Sequence, residues 1–170
     1  MTIQNAKILG KHELTSSPTP DLDTAVILQY VTGFTKTKLL LERDYVLSNE
    51  QQKLFNEALE KRKKGLPVAY ITSHKEFYSY DFYVNPNVLI PKPDTELLVD
   101  NALNALGKAY AALENSDGTL KKIPLALDMC CGSGCVGISI LKALMDNDSL
   151  SVNDLPKMRS NRYPRAKMIF

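Results

Sequence analysis

The run Leu127-Asp128-Met129-Cys130-Cys131-Gly132-Ser133-Gly134-Cys135-Val136-Gly137 holds the densest chemistry in the chain. An acid closes a short apolar run, a glycine turn follows, and an apolar helical pattern comes behind it. Glycine lets the backbone turn sharply and lets a ligand approach closely. Free N–H groups at a helix start, with the positive end of its dipole, favour an anionic group such as a carboxylate. S-adenosylmethionine, which presents an adenosine and an amino-acid carboxylate, suits such a turn. Gly132, Gly134 and Gly137 also satisfy the G-x-G-x-x-G spacing of dinucleotide sites. That fingerprint asks for an acid roughly 20 residues on, at a strand end, to hold a ribose. Asp154 stands near that distance but in a polar insert. Spacing alone leaves a dinucleotide, S-adenosylmethionine and an ordinary packing turn all open.

The elements that must position this turn can be read on either side of it. Ile123–Asp128 reads as a short buried strand with Pro124 near its start. Val136, Ile138, Ile140, Leu141 and Leu144 continue as a helix. After a polar insert over Asp146–Pro164, Ala166–Phe170 reads as the start of a second strand. Strand, glycine turn, helix and strand form the opening of a doubly wound α/β domain. Upstream, Pro91 and Pro93 stiffen the backbone. Asp94, Thr95 and Glu96 offer capping oxygens to a helix running through Leu97, Leu98, Val99 and Leu103 to about Leu113. Asn115–Gly118 reads as a loop.

The first 65 residues read as helical. Helices are expected over Ile3–Leu14, from an Asp21 cap to Gly33, and briefly around Lys36–Leu41. Ser16–Pro20 is a turn, since proline disfavours helix in the residue before it. Ser48 and Gln51 form a capping-box pattern ahead of the apolar stripe Leu54, Phe55, Ala58 and Leu59. Lys61-Arg62-Lys63-Lys64 lies where the helix dipole favours cations, and Gly65 can take the left-handed position beyond the end. Helix-end electrostatics explain that basic run better than a nucleic-acid patch does. Tyr70, Ile71, Phe77, Tyr78, Tyr80, Phe82, Tyr83 and Val84 are strand formers, with a turn over Ser79–Asp81 and another at Asn85-Pro86-Asn87. Hairpin packing accounts for these aromatics more simply than ligand stacking. Three segments follow: helical residues 1–65, a β-hairpin linker over 66–90, and a partial Rossmann-like domain over 91–170.

The chain has 170 residues, 24% of them charged, and a formal net charge of +2. Such a balance fits a globular protein and gives no bulk electrostatic case for nucleic acid. No apolar run reaches the roughly 20 residues that span a bilayer, and the N-terminus lacks a signal-peptide pattern, so a cytoplasmic location is expected. The three cysteines, Cys130, Cys131 and Cys135, are too clustered for a disulfide framework. His12 and His74 are distant from them and from each other, so no metal site is expected. The sequon Asn147-Asp148-Ser149 would be idle in the cytosol.

Several blocks, in order, resemble the HemK/PrmC release factor glutamine methyltransferases. They are Gly65-Leu66-Pro67-Val68-Ala69-Tyr70-Ile71, Glu76-Phe77-Tyr78, Val88–Val99 with its Ile-Pro-Lys-Pro-Asp-Thr-Glu core, and Leu127–Gly134. The resemblance runs from about Asp21 to Ile140, and the Ile90–Glu96 block followed by the glycine turn is its specific part. It implies a helical domain that contacts a class I peptide-chain release factor, a hairpin linker, and a Rossmann-like domain that binds S-adenosyl-L-methionine. It implies N-methylation of the glutamine in the Gly-Gly-Gln motif, with a monomer as the expected state and no direct contact with nucleic acid or membrane. Asp128, Cys130, Cys131, Gly132, Ser133 and Gly134 would line the cofactor site. Pro91, Thr95 and Glu96 would form the active-site wall.

The sequence departs from the family at several positions. Cys130 stands where a glycine is common, Cys131 where a threonine is common, and Lys92 where an arginine is usual. The Asn-Pro-Pro-Tyr motif, whose Asn side chain and Pro carbonyl would hold the glutamine amide for attack, has no counterpart in these 170 residues. No catalytic residue is therefore assigned, and this chain alone is expected not to transfer a methyl group. Two other readings stand beside that one: a non-catalytic module that binds a release factor or the ribosome, and a nucleic-acid methyltransferase fragment.

Overall fold

The computed structural model describes residues 1–113, residue 115, residues 125–145 and the strand 167–169. The chain divides into two compact units, Met1–His74 and Lys75–Phe170.

The first unit is helical: α1 (Ile3–Glu13), α2 (Pro20–Thr32), α3 (Lys36–Leu41), α4 (Asn49–Lys63) and α5 (Val68–Thr72). Local chemistry sets most of its boundaries. Thr2 caps α1 by accepting from the Asn5 N–H. At α4 the Ser48 Oγ accepts from the Gln51 N–H at 3.1 Å while Gln51 Oε1 accepts from the Ser48 N–H at 3.0 Å, the reciprocal box that the spacing predicts. Gly33 ends α2 with φ +69°, and Gly65 follows α4 with φ +90°, conformations that cost glycine little.

Ile3, Ala6, Ile27, Leu28, Phe55 and Leu59 form the centre of its core. Helices α1 and α2 meet at Gly10, where an added Cβ would lie 2.4 Å from Thr24 Cγ2. An ion pair ties the start of α2 to the end of α4. Arg62 Nε donates to Asp23 Oδ2 at 2.6 Å, and Ser17 Oγ donates to the same oxygen at 2.7 Å.

Two expectations for this unit are corrected. Pro20, not Asp21, opens α2, because a proline at the first helical position forfeits only an N–H that would be unpaired there. Asp23, one turn inside, collects the hydroxyls of Ser17 and Thr19. Tyr70 and Ile71 lie in a helix and not in a strand. The Pro67 carbonyl accepts from both of their N–H groups, and Ile71 packs on the helical core, so burial overrides strand propensity.

The second unit begins with a hairpin of β1 (His74–Phe77) and β2 (Tyr80–Tyr83). Its turn is Tyr78-Ser79, one residue earlier than predicted. Both residues have positive φ, +53° and +60°, as the two-residue turns that match strand twist require. Asn85 makes the predicted turn after β2, its Oδ1 accepting from the Asn87 N–H. A short 3₁₀ turn over Pro93–Thr95 leads into α6 (Glu96–Leu113). Within that turn Thr95 N–H bonds to the Lys92 carbonyl, and Asp94 and Glu96 stand as first-turn acids of the 3₁₀ turn and of α6.

Strand β3 (Leu125–Leu127), helix α7 (Cys135–Met145) and strand β4 (Lys167–Ile169) complete the described elements. β3 and β4 pair in parallel, with Leu125 opposite Lys167, Ala126 opposite Met168 and Leu127 opposite Ile169. β3 is not the buried strand expected, since Leu125 and Leu127 are 62% and 59% exposed. Only Ala126, between them, is half-buried. Phe77, Phe82, Val99, Leu103, Ile140 and Leu144 form this unit's core, which joins the hairpin to α6 and α7. The expected loop after Asn115, the start of the first strand at Ile123 and the polar insert fall outside the described residues. Among the described residues no helix is long and apolar enough to cross a membrane.

Candidate functional site

The glycine turn departs from regular backbone at three points. Cys130, Gly132 and Gly134 take φ of +63°, +57° and +73°. Two of these are glycines, for which such angles are ordinary; at Cys130 a Cβ must tolerate them. Gly134 N–H bonds to the Cys131 carbonyl at 2.8 Å, closing the turn, and Ile138 N–H bonds to the Gly134 carbonyl as α7 begins. Asp128, at the end of β3, reaches across: its Oδ2 accepts from the Gly137 N–H at 3.0 Å. One carboxylate oxygen thus fastens the strand end to the first turn of α7 and satisfies a donor that has no partner within the helix.

Around this fastening the surfaces differ. A Cβ built at Gly132 would meet nothing within 4 Å, so the backbone lies open at that residue, while Gly134 is buried. Cys130 is exposed, Cys131 half-buried and Cys135 buried, and all three are free thiols. Beside the turn, an apolar groove of about 900 Å³ runs between α6, β3 and α7, lined by Leu98, Ala102, Leu106, Leu125, Leu127, Val136 and Ile140, with Asp128 on its wall. Among the described residues no group of three or more His, Cys, Asp or Glu side chains could hold a metal.

Of the three wall residues, Pro91 is buried, and Thr95 and Glu96 are half-buried at the start of α6. Glu96 is already engaged, its Oε1 accepting from the Tyr78 N–H at 3.0 Å. Tyr78 makes a second bond to the same helix, its hydroxyl donating to Asp100 Oδ1 at 2.8 Å. Burial, and then the bond to the Asp100 carboxylate, push the Tyr78 phenol well above its ordinary pKa of 10.0. Sequence reasoning missed this pair. No local pattern pointed to it, because the partners stand 18 and 22 positions apart.

The chain is similar to known proteins over most of its length. The PrmC N-terminal domain family matches residues 6–72. A release factor glutamine methyltransferase of Leptospira interrogans is 34% identical over 154 residues, covering 91% of this chain and 49% of that protein. One from Clostridium acetobutylicum is 37% identical over 155 residues, covering 86% and 50%. A bifunctional methyltransferase of Rickettsia typhi is 37% identical over 145 residues, covering 80% of this chain and 27% of its own length. The chain spans about half the length of the curated release factor methyltransferases it matches. These matches bear out the resemblance drawn from the sequence blocks.

Proposed function

We infer that this chain, a relative of the HemK/PrmC release factor glutamine methyltransferases over most of its length, supplies the docking and cofactor-binding parts of a protein-glutamine N-methyltransferase. The observation that carries the reading is the positive-φ turn, open at Gly132 and pinned by Asp128 to the start of α7.

S-adenosyl-L-methionine fits what the turn offers. The backbone at Gly132 is unobstructed, N–H groups stand at the start of α7, and the wall of the adjoining groove is apolar apart from Asp128. When bound, the cofactor would supply an electrophilic methyl group. Asp128 and Cys130–Gly134 would hold it. Pro91, Thr95 and Glu96 would shape the wall beside it in a domain of Rossmann-like α/β class. The substrate would be the Gly-Gly-Gln glutamine of a class I release factor, in the cytoplasm.

An amide nitrogen is a weak nucleophile because its lone pair is delocalised, so transfer depends on positioning. No Asn-Pro-Pro-Tyr segment stands in these 170 residues to provide it. The expected outcome is cofactor binding without turnover. Titration calorimetry of the purified chain with S-adenosylmethionine should give saturable heat; no heat at millimolar ligand would sink the assignment of the turn.

One observation favours a second role. Residues 1–74 form a compact unit of their own, and the PrmC N-terminal domain match lies wholly within it. That unit would dock a release factor whether or not chemistry follows. Capture of a purified class I release factor by the immobilised chain tests it, and absence of capture at micromolar concentration counts against it.

A further inference from the structure

The hairpin turn stands at the junction of both helices that flank the candidate site. Tyr78 grips α6 twice, through its N–H to Glu96 and its hydroxyl to Asp100. Two residues on, the Tyr80 ring lies under Lys142 of α7, with the ammonium 4.8 Å from its centroid. Beneath them Phe77 and Phe82 pack edge to face, centroids 6.1 Å apart, in the core shared by α6 and α7. The turn and the first residue of β2 therefore touch the helix that carries Glu96 and the helix that the glycine turn opens.

The cost of this arrangement argues that it is specified. Tyr78 adopts φ +53°, a region unfavourable for a bulky L-residue. Two hydrogen bonds to half-buried carboxylates compensate. Hairpin formation alone would be served by Asn-Gly at the turn. The N–H bond also fixes which way Glu96 can face, since one of its oxygens is committed to the hairpin.

We propose that Tyr78, held by Asp100, is a positioning residue for the cofactor site: it sets the orientation of Glu96 and the spacing between the start of α6 and the glycine turn. This rests on the reading of that turn as an S-adenosylmethionine site.

The test is calorimetric titration of S-adenosylmethionine into the whole 170-residue chain and its Tyr78→Phe, Asp100→Ala and Asp100→Asn variants, at a temperature where circular dichroism shows all four folded. Tyr78→Phe and Asp100→Ala should each raise Kd by about threefold to tenfold, the weight of one partly buried hydrogen bond. Asp100→Asn, which keeps an acceptor oxygen, should stay within about twofold of the parent. In Tyr78→Phe the Gly137 amide should also exchange faster with solvent, a readout that needs no ligand. Parent binding with unchanged Kd in Tyr78→Phe and Asp100→Ala, whatever their urea midpoints, would overturn the positioning role alone. No binding by the parent would overturn the cofactor reading and this inference together.

Discussion

At Cys130 a side chain occupies backbone that usually belongs to glycine. The left-handed conformation presses its Cβ towards the following carbonyl, a penalty of about 1 kcal/mol or somewhat more. Cys130→Gly should therefore raise the urea midpoint by an amount equivalent to about 1 kcal/mol, with the denaturant slope unchanged. A lower midpoint would mean that the thiol makes contacts outweighing the strain. Tyr78 gives a second residue-scale prediction. Its phenol is held above the ordinary value, so the folded state prefers the neutral form. That contribution is complete below pH 10 and is lost as pH rises through the folded value. Urea midpoints followed from about pH 9 to 12 should fall more steeply for the parent than for Tyr78→Phe, which has no phenol to titrate.

Among the elements, α1 and α2 are held at a separation only glycine permits. Gly10→Ala would push a methyl into Thr24 and should cost about 1–3 kcal/mol by overpacking, read as a lower thermal midpoint. At α4, Ser48→Ala removes one limb of the capping box and should cost about 1 kcal/mol. What could be read from the sequence divides along the same line. Features set by chemistry within four residues were legible: the Ser48–Gln51 box, the glycine ends of α2 and α4, and the glycine turn between strand and helix. The run Ala166–Phe170 also marked a second strand, which the structure has at Lys167–Ile169. Features set by distant partners were not. α5 is helical because Ile71 is packed on a helical core, against the preference of its β-branched and aromatic residues. The exposure of Leu125 and Leu127 depends on what covers a strand, which a three-residue apolar run cannot reveal. At the candidate site, the turn's backbone form followed from its glycines, whereas the Tyr78 contacts join residues 18 and 22 positions apart and left no periodic trace.

For the molecule as a whole, the relation to the release factor methyltransferases extends along most of the chain and across both compact units. The proposed division of labour predicts that the 170-residue chain incubated with S-adenosyl-[methyl-³H]methionine and a class I release factor leaves the glutamine unlabelled. Labelling above background would place the glutamine-positioning groups within these residues. The two ends of α4 also predict how the helical unit responds to its surroundings. Its head is closed by neutral groups, Ser48 and Gln51. Near its tail, Lys63 pairs with Glu13 at 2.6 Å, and that bond holds the Glu13 carboxyl below its usual 4.5. Its stabilisation is present above that value and fades as pH falls through the lowered one. Ionic strength weakens the same bridge and leaves the neutral box untouched. In acid or in molar salt α4 should therefore begin to fray at Lys63 while its first turn stays wound.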